Sequence, residues 1–125
     1  MPATILCAST LTANDRTAVE RDVESYAIAT CLVNQQEPYL KDQGDGWASA
    51  IIQRAKGGLD AFTDVAAAVK AELTKGNMVV IRSETEPMKD KPLPVMYCGE
   101  IIDQPSVDAP IHKAVKKLEP SYGRH

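Results

Sequence analysis

A chain of 125 residues, 44% hydrophobic and 25% charged with a net charge of −3, fits one domain able to bury its own core and excludes disorder, collagen and low-complexity sequence. The charge invites no phosphate backbone, and the one Trp, one Phe and four Tyr are too scattered for a base-stacking platform. No apolar run reaches the roughly 20 residues that span a bilayer. Neither nucleic acid nor, for the mature form, a membrane is therefore an expected partner.

Residues 1–13, MPATILCASTLTA, carry no charge, and the polar run NDRTAVERD follows at once. The segment reads as the tail of a secretory signal ending at Leu11-Thr12-Ala13, without its basic leading region, or else as a disordered apolar terminus. The first reading removes Cys7 and leaves Cys31 and Cys98 as an even pair in an oxidising compartment. Residues 14–125 then form a single helical domain.

Over 15–35, Val19, Val23, Tyr26, Ala27, Thr30 and Cys31 fall on one helical stripe, with Asn14 or Asp15 as the expected cap. Ile28 and Leu32 make a second, shorter stripe, which predicts that this helix is central or lies at a homodimer interface formed by Ile28 and Leu32. Glu37 and Pro38 open a helical turn that Gly44 and Gly46 are expected to break. Asp45 then caps a helix over about 47–56, stopped by Gly57-Gly58. Asp60 is the expected cap of the next helix, 61–75, with Phe62, Val65, Ala66, Val69 and Leu73 inward.

Met78-Val79-Val80-Ile81 is a short β-branched run. Residues 82–92 follow without periodicity and with Pro87 and Pro92, so they are expected to form a loop longer than a connector needs. Helix returns over about 94–103, with Val95, Cys98, Gly99 and Ile102 inward. A last helix runs from Pro105 to about Leu118, stopped by Pro120 and lined by Val107, Ile111, Val115 and Leu118. The predicted class is all-α: a compact array of five to six short helices with one long protruding loop.

The residues that could carry chemistry are few. His125 is terminal, which leaves His112 as the imidazole available to a site. No clustered His and Cys, no alternating acidic calcium loop and no phosphate-cradling glycine loop occurs, so neither a metal nor a cofactor is expected. Cys31 and Cys98 lie on apolar stripes of separate helices, either as two buried thiols or as a disulfide. Either cysteine with His112 would suggest a small exported thiol hydrolase or a ligand-binding helical domain, yet no oxyanion or orienting motif accompanies them. The charged, proline-stiffened loop 82–92 suits insertion into another protein's cleft.

Tyr26-Ala27-Ile28-Ala29-Thr30-Cys31-Leu32 and Tyr97-Cys98-Gly99-Glu100-Ile101-Ile102-Asp103 resemble the two cysteine segments of immunity proteins paired with the fourth family of type VI secretion amidase effectors. The glycine-rich middle at Gly57-Gly58 is also similar. The resemblance covers about residues 15–120. It implies a periplasmic, all-helical, homodimeric protein without catalytic residues. Such a protein binds a papain-like cysteine amidase that cuts peptidoglycan cross-links and occludes its Cys–His site. The inserting loop would use Ser83, Glu84, Thr85, Glu86, Met88, Lys89 and Asp90. A helix would assist through Ile52, Gln53 and Lys56.

Overall fold

Thr17 starts the first helix, α1 (Ala18–Val33). Its hydroxyl accepts from the Glu20 amide at 3.1 Å, while the Glu20 carboxylate accepts from the Thr17 amide at 2.9 Å. This reciprocal capping box satisfies two donors that a helix start otherwise leaves free. The computed structural model describes residues 16–82, 84 and 90–123. The expected caps Asn14 and Asp15, Cys7 and the apolar 1–13 segment lie outside the described residues.

Two faces of α1 are buried. Val19, Val23, Ala27 and Cys31 line one; Ala29 and Leu32 lie on the other. The second face is covered by α2 (Pro38–Arg54), a single helix where two were expected. Gly44 does not break it. A Cβ on Gly44 would stand 2.7 Å from the Ala29 carbonyl oxygen and 2.7 Å from the Val33 nitrogen, so the glycine serves a close helix crossing. Gly46 has nothing within 4 Å of such a Cβ, and the helix simply tolerates it at a cost of about 1 kcal/mol relative to alanine. Asp45 therefore caps nothing, and Lys56 lies beyond the end of the helix.

Gly57, at φ 96°, turns the chain into α3 (Asp60–Leu73). Leu59 is the cap residue, and Asp60 is instead the first helical residue, where its carboxylate accepts from Lys117 Nζ. Phe62, Val65 and Val69 are buried as their spacing predicts, and Ala61 joins them. Gly76, at φ 69°, follows the helix in the left-handed region that favours glycine.

The β-branched run pairs rather than standing alone. β1 (Val80–Ile81) and β2 (Lys91–Pro92) run antiparallel with Val80 opposite Pro92, and the Leu93 amide donates to the Val79 carbonyl at 2.8 Å. The end of the expected 82–92 loop is thus a strand, and the loop is the connection of a hairpin.

α4 (Pro94–Gly99) is only six residues long and ends at a 3-10 turn, Ile101–Asp103. A single helix over 94–103 is not formed. Tyr97, Cys98 and Ile101 point inward, whereas Val95 and Gly99 are exposed and Ile102 is half-buried. α5 (Pro105–Tyr122) buries Val107, Ile111, Ala114, Val115 and Leu118 and runs past Pro120. A tertiary contact holds that last turn, because the Tyr122 hydroxyl donates to the Asp22 carboxylate at 2.9 Å. The class is all-α, with α1, α3 and α5 enclosing the core.

Asp22 has a side chain only 2% exposed. Arg54 reaches it at 2.7 and 3.0 Å, Arg21 at 3.3 Å, and Tyr122 donates from the other side. A buried carboxylate is tolerable only when paired and hydrogen-bonded in this way. The cluster ties α1 to the C-terminal ends of α2 and α5.

Candidate functional site

Four of the seven exposed large apolar side chains among the described residues lie on the hairpin and α4. Val80 and Ile81 of β1 are exposed, and so are Val95 and Met96 of α4. Pairing of Val80 with Pro92 places β1 close to the start of α4, which brings these four residues to one end of the molecule. The loop between the strands adds Arg82, Glu84 and Asp90, all exposed. Ser83, Thr85, Glu86, Met88 and Lys89 lie outside the described residues.

Beside the hairpin base is a cleft of about 420 Å³, lined by Asn34, Gln36, Glu37, Asn77, Pro92 and Tyr97 among others. One wall backs onto the bridge between α1 and α4. Cys31 and Cys98 are fully buried, their sulfurs stand 2.12 Å apart at bonding distance, and their Cα atoms are 5.4 Å apart. Gln35 Nε2 donates to the Cys31 carbonyl at 3.1 Å and lies 3.5 Å from Cys98 Sγ. Among the described residues, the Tyr97 hydroxyl is the buried side-chain polar atom left without a hydrogen-bond partner. Burial and, next, the nearby Glu72 carboxylate push its pKa up. Glu72 is itself held below the usual carboxylate range, first by the Ser106 hydroxyl and then by Lys75.

The remaining expected site residues divide. Ile52 is half-buried against the core, and Gln53 and Lys56 are exposed. Gln53 is 16 positions along the chain from Glu37, roughly 24 Å at the helical rise. The cleft and the hairpin base therefore neighbour the other end of α2, where Tyr39 is exposed. Leu32 is buried within the single chain and Ile28 is half-buried against the core. At Leu32 the apolar surplus that suggested an interface is met by α2, whose Gly44 packs against it. His112 is exposed on α5, 3.3 Å from Asp108, whereas Cys31 and Cys98 are sealed in the core and joined to each other. The structure does not assemble a Cys–His pair from them.

Sequence reasoning missed Val95 and Met96 as exposed residues. The signal was the short distance between Pro92, Pro94 and Gly99, which leaves α4 too few turns to build a full apolar stripe. No family model matches the chain, and neither a curated protein nor a solved structure does.

Proposed function

We propose that this chain is a periplasmic immunity protein that binds and inhibits a peptidoglycan amidase effector of a type VI secretion system. The observation that carries the reading is the hairpin. An otherwise all-helical scaffold carries two short strands with the exposed charges of Arg82, Glu84 and Asp90 between them and the uncovered side chains of Val80, Ile81, Val95 and Met96 beside them. Apolar anchors beside a polar tip are what an inhibitor needs at a groove-shaped active site, because the anchors desolvate while the tip matches the catalytic groups. Exposed Glu84 and Asp90 suit the protonated histidine of a Cys–His site through charge-assisted hydrogen bonds. The bridge between Cys31 and Cys98 suits an oxidising compartment. The two cysteine segments supply the resemblance that names the partner.

In this reading the chain performs no catalysis and needs no cofactor. Its homodimer uses a face other than Leu32, which is buried within the single chain. The exposed aromatic pair Tyr39 and Trp47 on α2 is the better candidate, since positions eight apart share a helix face.

The test is enzymatic. The purified mature chain is titrated against the type VI amidase effector of the producing cell, with release of cross-linked peptide from peptidoglycan as readout. Cleavage should fall to background near one chain per enzyme. Undiminished cleavage at a large excess of the chain would refute the proposal.

A further inference from the structure

The hairpin and α4 are joined to the core by few fully buried side chains, with Met78 and Val79 packed partly against it and Leu93 and Pro94 half-buried. Of the six residues of α4, only Tyr97 and Cys98 are buried. Val95 and Met96 are exposed, and both strands of the hairpin are exposed throughout. Tyr97 brings a hydroxyl without a partner into the interior, which offsets part of what its ring contributes. The fully buried part of the attachment is Tyr97 and Cys98, and Cys98 is the covalent point, bonded to Cys31 of α1 and flanked by the Gln35 amide. A helix of six residues has no stability of its own in water. By contrast, α1, α3 and α5 meet through Val23, Phe62, Val65, Val69, Val107 and Leu118, all buried and none of them on the hairpin or α4.

From this asymmetry we propose that the Cys31–Cys98 bond is a latch specific to the binding face. Once oxidised, it fixes α4 and the two strands against α1; reduced, the chain keeps its three-helix core and lets the strands 80–81 and 91–92 and α4 move. A dithiol reductant opens it by a balanced exchange. The Sγ–Sγ bond breaks, two electrons and two protons arrive as two cysteine thiols, and the dithiol closes to its own disulfide. Both sulfurs are fully buried, so the latch is set as the chain folds in an oxidising compartment and is not reopened by casual contact with thiols. The chain thereby becomes a competent binder only where it forms the bond. This consequence rests on the hairpin being the binding face, whereas the latch itself does not.

Backbone relaxation measurements separate the two. The reporters are the amides of Leu93, Tyr97 and Glu100, which donate to Val79, Leu93 and Met96 carbonyls respectively. In the oxidised chain their order parameters should be about 0.85; in the Cys31→Ala/Cys98→Ala chain they should fall below about 0.6, while amides of α1, α3 and α5 stay near 0.85. The unsubstituted chain, reduced and kept in dithiol, should behave like the double variant, which removes any effect of the lost sulfur volume. Unchanged order at the three reporters would overturn the latch. So would collapse of the whole spectrum in both reduced forms, since the bond would then be a global staple. If the reporters loosen as expected but the oxidised chain fails to bind the amidase, the latch stands and the amidase reading falls.

Discussion

Gly44 and Gly46 stand two residues apart on α2 and carry opposite expectations. A methyl group on Gly44 meets the backbone of α1 at 2.7 Å, and backbone cannot rotate away. Gly44→Ala should therefore destabilise the chain by about 1–3 kcal/mol, the usual cost of overpacking a tight contact. Gly46→Ala meets open space and should stabilise by about 0.5–1 kcal/mol through lost unfolded-state freedom. Urea midpoints of the two variants check both signs. Tyr122 offers a pH test at the same scale. Burial and, next, its hydrogen bond to Asp22 push its pKa from 10.0 up to about 12. A phenol raised on folding keeps its full contribution below pH 10 and loses it as pH climbs toward about 12, because the unfolded chain releases the proton first. The stability gap between the wild-type chain and Tyr122→Phe should be constant below pH 10 and close between pH 10 and about 12. A gap that does not narrow over that window would contradict the assignment.

The long helices were legible because periodicity reports burial directly. Val19, Val23 and Ala27 on α1, Phe62, Val65 and Val69 on α3, and Val107, Ile111 and Val115 on α5 are all buried where their spacing placed them. Punctuation was less legible, because glycine and proline each have two meanings. Gly44 marks a close approach instead of a break, and Pro120 sits inside α5 because Tyr122 is held beyond it by Asp22. Both depend on partners distant in the chain, which a local pattern cannot contain. The short elements were read least well. β2 has two residues and no stripe to read, and the inward face of α4 is set by the bond at Cys98 and by Tyr97. The apolar part of the candidate site therefore emerged only with the structure, since Val80 and Ile81 read only as a short β-branched run and Val95 is exposed where it was expected inward. Replacing both with serine should leave stability within about 0.5 kcal/mol, as for ordinary surface positions. The same change should weaken amidase binding by at least about 1 kcal/mol if these side chains are anchors. Calorimetric titration against the effector measures the second quantity and thermal unfolding the first. Equal affinity in the double variant would remove α4 from the binding face.

At the scale of the whole molecule, the architecture separates a core from a presented edge. α1, α3 and α5 hold one another through apolar contact, and α2 closes the second face of α1 across Gly44. Of the hairpin and α4, Tyr97 and Cys98 enter that core, and the Cys31–Cys98 bond ties α4 to α1. A stable body with a separately attached edge suits a protein whose task is to bind, since the edge can be changed without altering the fold. The most direct measurement is inhibition of the cognate amidase by a chain in which residues 83–90 are replaced by a short Gly-Ser linker. The account predicts an unchanged helical spectrum, a retained disulfide and loss of inhibition. Inhibition at wild-type strength by a folded, bridged variant would contradict it and move the binding surface onto the helices.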